Sequence, residues 1–180
     1  MHPTERQSLL DQLTSSESAL LCQLDGLSEA QWNFRESPDR WSIAENLEHL
    51  IAHENFLVPT LQRTLEAPPE PDKKSAAPSK DAHIQSLATS RQTKIKAREI
   101  AQPNGRWTNP TDMMRLYRET RAKTIRFAAT TQAPLRDHFF PHLAFGDLDC
   151  YQWLTVLSQH TLRHVAQIQQ IKADPAYPTL

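Results

Sequence analysis

His160 and His164 stand in the order H-T-L-R-H near the end of the chain, and the residues around them are apolar at helical spacing. Trp153, Leu157, His160, His164, Ile168 and Ile171 recur at four- and three-residue steps, so both histidines lie on the face that the apolar residues bury. Side chains four apart point the same way about one turn apart, close enough for two imidazoles to bind one ion. Burying them unpartnered would cost roughly 1–3 kcal/mol each, a cost that a metal removes. The same spacing equally suits a pair of core histidines bonded to backbone or to Gln167. A third ligand has to come from another helix, where EHLIAHE offers His49 and His53, also four apart. On a wheel started at Ile43, with about 100° per residue, His53 falls about 80° and His49 about 120° from the centre of the Leu stripe. Periodicity therefore leaves both open.

These histidines need helices to hold them, and the helix signals are clear. Leu9, Leu10, Leu13, Leu20, Leu21, Leu24 and Leu27 predict a first helix from Pro3 or Thr4 to near Gly26. Ser28 suits the N-cap of a short turn, and Pro38 interrupts the irregular stretch that follows. Ser42 with Glu45 forms a capping box, after which Ile43, Leu47, Leu50, Leu57 and Leu61 mark the core face of the second long helix. Residues 67–80 are rich in Pro and charge without periodicity and predict a flexible connection. Residues 81–99 are helix-permissive but weakly amphipathic. Asn109 and Pro110 open a third long helix to about Thr131, and Asp149 with Gln152 opens the last, through about Ala173. The stretch LRDHFFPHLAFGDL between them, with His138 and His142, predicts a loop. The expected fold is all-α: a four-helix bundle with an additional minor helix.

The 180 residues suit one domain, 1–180, with its own core. Thirteen prolines against three glycines disfavour an all-β chain with frequent Gly turns. Cys22 and Cys150 have no C-x-x-C spacing, and no apolar run approaches the length that crosses a bilayer. A cytoplasmic protein with reduced thiols and no membrane association is expected. The net charge of -1 hides an asymmetry: residues 1–70 carry 4 basic and 12 acidic side chains, residues 91–126 carry 10 and 3. Pairing between helices of one bundle accounts for this better than a nucleic-acid surface, because no aromatic interleaving or reading motif accompanies the charge. No nucleic-acid partner is expected. The asymmetry, with Trp107 read as exposed, suggests a homodimer.

Two segments carry a resemblance. WSIAENLEHL resembles the tryptophan, capping-serine and histidine segment of the DinB-like superfamily, in its YfiT-like branch. FGDLDCYQWLTVLSQHTLRHVAQIQQIKADPAYP is similar to that family's closing segment, with a Gly turn and a Trp ahead of H-x-x-x-H. The resemblance implies a four-helix bundle with a divalent metal on His49, His160 and His164, the ion being Zn or Ni ahead of Fe or Mn. It places His53 outside the ligand set, as a partner to a ligand, a proton carrier or a solvated helix residue, the last two favoured over direct ligation. His142 matches a histidine ahead of the Gly turn, where a loop-structuring hydrogen bond is expected. Relatives include thiol S-transferases, so the implied activity joins a low-molecular-weight thiol to an electrophile, with Arg115, Arg118 or Arg121 holding the thiol's carboxylates. The alternative is a stress-associated bundle that binds metal without turnover.

Overall fold

In the computed structural model, residues 1–86 and 97–179 are described. Four long helices carry the architecture: α1 (Pro3–Leu24), α3 (Ile43–Thr64), α6 (Pro110–Thr130) and α7 (Cys150–Lys172). Between them lie short helices α2 (Glu29–Asn33), α4 (Pro71–Lys74) and α5 (Pro78–Gln85), a 3₁₀ turn at Glu99–Ala101, and strands β1 (Phe139–His142) and β2 (Gly146–Asp149). The expected four-helix bundle is present, and among the described residues three minor α-helices stand where one was expected. Of the helix-permissive residues 81–99, 87–96 lie outside the described residues.

The long helices start where side chains can satisfy their exposed N–H groups. Ser42 and Glu45 cap α3 reciprocally, and Asp149 and Gln152 do the same for α7. Asn109 caps α6 ahead of Pro110, while at α1 the His2 ring takes the capping role, paired with Glu5. Around the bundle the cyclic order is α1, α7, α3, α6, so α1 stands diagonal to α3 and α6 diagonal to α7. Diagonal helices need long connections, which α2 and the β-hairpin provide.

Two expectations for the connections are corrected. Residues 67–80 are docked: Pro71 and Pro78 each start a short helix, Glu70 N–H donates to the Asp137 carbonyl, and Gln152 Nε2 donates to the buried Ala77 carbonyl. Proline at the first helical position loses no bond there, so a Pro-rich stretch can order itself. The loop before α7 is an antiparallel hairpin, with Phe139 opposite Asp149 and His142 opposite Gly146. Gly146 turns it with φ of 64°. Trp153 Nε1 fastens the hairpin to α7 by donating to the Phe140 carbonyl at 2.7 Å. Trp107, read as exposed, is half-buried under the Arg106 guanidinium. No helix among the described residues is long and apolar enough to cross a membrane.

The core divides into two apolar clusters. One contains Leu9, Leu13, Leu57, Leu61, Trp153 and Leu157; the other contains Leu20, Leu47, Ile51, Met113, Tyr117, Val165 and Ile168. Each long helix places a buried polar residue between them: Ser16, Glu54, Arg121 and Thr161. Arg121 Nε and Nη2 donate to the Glu54 carboxylate at 2.9 Å, Nη1 donates to Leu13 O and Ser16 Oγ at 3.0 Å, and Nη2 also reaches Thr161 Oγ at 3.0 Å. Burial opposes the Arg121 charge, yet Glu54 and Tyr117 more than offset it and hold the guanidinium above its ordinary value.

Breaking a buried pair leaves one charge uncompensated, whereas replacing both partners removes the problem. Glu54→Gln or Arg121→Met is expected to cost about 3–5 kcal/mol in chemical unfolding. In a double-mutant cycle the loss in the combined Glu54→Leu and Arg121→Met protein should fall well below the sum of the losses of those same two single changes. Additive losses would contradict direct coupling.

Candidate metal centre

α7 brings His160 and His164 onto one face, and α3 presents His49 across from them. His160 Nε2 lies 3.2 Å from His49 Nε2 and 3.0 Å from His164 Nε2. One ligand atom from each of the three falls within 4.8 Å of the others.

The other ring nitrogens of two histidines are committed to the protein. His49 Nδ1 donates to the Ala101 carbonyl at 2.7 Å, and His164 Nδ1 donates to Asn46 Oδ1 at 2.7 Å. Asn46 is itself fixed, its Nδ2 donating to the Ser42 carbonyl at 2.8 Å. With Nδ1 protonated, each neutral ring turns an Nε2 lone pair toward the centre. Such second partners orient metal-binding histidines and raise their basicity. His160 Nδ1 is buried without a partner among the described residues.

The fit to a cation follows from these tautomers. His160 could donate one Nε2–H to His49 or to His164, which leaves the remaining lone pair unmatched. A divalent ion satisfies all three acceptors at once. Ligands at about 2.0–2.1 Å from an ion are about 3.0–3.4 Å apart at adjacent coordination positions, which agrees with the two short separations. Burial lowers the pKa of all three rings, and their neighbours lower those of His160 and His164 further, so they stay neutral and ligation-competent.

The loop between α3 and α6 is tied to the residue before His49. The buried Glu48 carboxylate accepts from the backbone N–H groups of Asn104, Gly105 and Arg106 at 3.1 Å each. This anchors the segment whose Ala101 carbonyl fixes the His49 ring. Trp41 packs at 4.9 Å from the same ring. A cavity of about 530 Å³ opens over the histidines, bordered by Trp41, Trp153, Val156, Leu143, Arg98 and His142 among others.

Of the readings open for His53, the solvated helix residue is the one the structure corrects. The His53 ring centroid lies 4.7 Å from His160 and 5.9 Å from His49, its Nδ1 is buried without a partner among the described residues, and it borders the cavity. His142 does structure its loop, Nδ1 accepting from Ala144 and Phe145 N–H. The arginines expected to hold a thiol's carboxylates do not border the cavity: Arg121 is the buried partner of Glu54, Arg115 pairs with Asp112 and Glu119 at the surface, and Arg118 is exposed. Arg40, Arg98 and Arg163 border it instead. Asn46, Glu48 and Ala101 escaped the sequence reading, although Asn46 and Glu48 stand within three residues of His49.

Burial, with His49, His142 and Arg98, pushes His53 down to about 3, and burial with Arg98 pushes His142 down to about 4. Unfolding returns both toward 6.5, so the unfolded chain binds more protons as pH falls. The stability they contribute is full above about pH 6.5 and is lost as pH drops toward 4. The melting temperature of chelated protein should fall by several degrees between pH 7 and 4.5, since about 1 kcal/mol shifts it by about 2–4 °C at this size. In His142→Phe the fall should be shallower. A flat profile would contradict the buried neutral rings.

Comparisons with known proteins agree with this architecture. Residues 12–168 match the profile described as the DinB superfamily. An uncharacterized protein of Bacillus subtilis strain 168, YuaE, is 28% identical over 152 residues, covering 83% of this chain and 88% of its own length. The solved structure of YfiT from Bacillus subtilis, described as a probable metal-dependent hydrolase with an unusual four-helix bundle topology, superposes with a TM-score of 0.62 at 10% identity. That likeness covers 99% of this chain and 91% of YfiT, and at such identity it bears on the fold alone. With the profile spanning most of its length, the chain belongs to the DinB superfamily.

Proposed function

We propose that His49, His160 and His164 hold a divalent ion, Zn or Ni ahead of Fe or Mn, and that the loaded protein transfers a low-molecular-weight thiol to an electrophile. The observation that carries this reading is the convergence of three Nε2 atoms, two with fixed tautomers, beside a cavity of small-molecule size. Three neutral imidazoles leave coordination positions open, and a bound ion there would lower the pKa of a thiol or water. The chain's own residues do the rest. Asn46 and the Ala101 carbonyl keep His164 and His49 oriented, while Trp41, Trp153 and Val156 wall the site against bulk water. With an alkyl halide, the sulfur–carbon bond forms, the carbon–halogen bond breaks, halide leaves, and the thiol proton passes to solvent.

The transferase reading goes beyond the YfiT description, which favours hydrolysis for that protein. Both activities use one open ion, so the decisive assay pairs bacillithiol, mycothiol, glutathione and cysteine with a generic electrophile, alongside an activated ester. Metal-loaded, chelated and His160→Ala proteins are compared. Thiol-dependent acceleration lost on chelation and in His160→Ala is expected. Ester turnover alone would make this a hydrolase, and no turnover would leave a metal-binding bundle. Location in the cytoplasm and assembly as a homodimer belong to the same reading; a monomer in sedimentation at micromolar concentration would remove the dimer.

Metal binding is tested separately. An ion at about 1,000 times its dissociation constant should stabilise the fold by about 4 kcal/mol. Replacing His49, His160 or His164 by Ala should abolish that gain, while His53→Ala should keep it. A full metal equivalent retained by His160→Ala would refute the ligand set.

A further inference from the structure

His142 ends β1, where the hairpin leans against α7. Its Nδ1 accepts the Ala144 N–H at 3.0 Å and the Phe145 N–H at 3.3 Å. A nitrogen accepting two hydrogen bonds carries no proton, so the neutral ring is protonated at Nε2. Phe145 stacks on the ring at 4.6 Å and Trp153 packs at 4.9 Å, which holds it in place. The ring borders the cavity, and among the described residues nothing accepts from Nε2. It is a donor fixed in position with a function still to fill.

Arg98 borders the same cavity. Its guanidinium lies 5.8 Å from the Phe56 ring centroid and 5.7 Å from that of Phe140, and it reaches the Pro141 carbonyl at 3.5 Å. No carboxylate of the described residues pairs with it. Arg40, by contrast, is matched by Glu36, which also accepts from Gln170. Arg98, His142 and His53 line the same cavity, and the Arg98 contact with the Pro141 carbonyl places its guanidinium beside the backbone that carries His142.

We propose that Arg98 and His142 form a carboxylate-binding subsite beside the three-histidine centre, the guanidinium supplying charge and paired donors and Nε2–H a neutral donor. One guanidinium with a neutral imidazole balances a single negative charge and matches a planar two-oxygen group. A phosphate dianion fits less well, because Glu36 and Asp39 offset two of the three guanidiniums that border the cavity, those of Arg40, Arg98 and Arg163, and leave one net positive charge. The subsite deepens the transferase reading by naming a second group on the small molecule, and it rests on that reading only for that group's role in turnover.

The probe is propionate, with propionamide and methylphosphonate as controls. Chelated protein labelled with ¹⁵N-histidine is titrated while the His142 ring is observed in long-range proton–nitrogen spectra. The free ring should show the Nε2–H tautomer, and propionate should shift its Nε2–H saturably. Arg98→Gln should weaken binding at least tenfold, and Arg98→Lys, which keeps the charge but loses the fork, should fall between. An Nδ1–H tautomer, equal response to propionamide, preference for methylphosphonate, or unchanged affinity in both Arg98 variants would overturn the proposal. Because the protein is metal-free, failure here leaves the metal reading standing, and failure to bind metal leaves the subsite standing.

Discussion

One buried guanidinium holds the four long helices to a common register. Arg121 projects from α6 and bonds α1 through Leu13 O and Ser16, α3 through Glu54, and α7 through Thr161. Apolar contacts tolerate sliding, because one Leu replaces another at little cost. A charged fork with fixed acceptors does not, since any slip leaves a desolvated charge unmatched. The polar tier between two apolar clusters is therefore the part of the core that specifies how the helices align.

That alignment reaches the histidines directly. Glu54 follows His53 on α3, and Thr161 follows His160 on α7, so the Arg121 layer locks the two helices at the level where the imidazoles meet. Metal ligands must meet within a few tenths of an ångström, which two helices joined by apolar contacts alone would not guarantee. A second constraint comes from the capping region of α3. Ser42 caps the helix and takes the Asn46 amide on its carbonyl, and Asn46 orients His164; one turn thus starts α3 and sets a ring on α7.

The helices were legible because their caps and stripes are local: Ser42 with Glu45, Asn109 with Pro110 and Asp149 with Gln152 mark starts that the structure keeps. The paired histidines were legible for the same reason. The choice of His49 over His53 was not, since it depends on how α3 turns against α7, and a resemblance had to supply it. The hairpin was missed because two four-residue strands give too short a pattern to separate from a loop. Arg121 was taken as a candidate to hold a thiol's carboxylates, although it stands four residues after Tyr117 and three before Thr124, both buried. Ser16, Glu54 and Thr161 interrupt their own stripes in the same way, so four polar residues at core positions are a readable sign of a buried network. The partners of His49 Nδ1 were hidden, because a backbone carbonyl 52 residues away leaves no mark in composition or spacing.

The division of labour between helices and connections bears on how one bundle could serve different chemistries. His49, His160, His164 and the Arg121 tier all sit on α1, α3, α6 and α7, where packing fixes them. Arg98, His142 and Leu143 come from connections, which can change length and sequence without disturbing the core. A likeness to YfiT at 10% identity across nearly the whole chain requires only that the helical frame be shared. Function is set at the site, not by the fold. The frame supplies the floor that carries the three histidines, while Glu48 and Trp153 clamp the connections onto its rim. Each clamp joins a helix residue to loop backbone, to N–H groups at Glu48 and to a carbonyl at Trp153, so the loop's side chains can vary while its position over the histidines is kept.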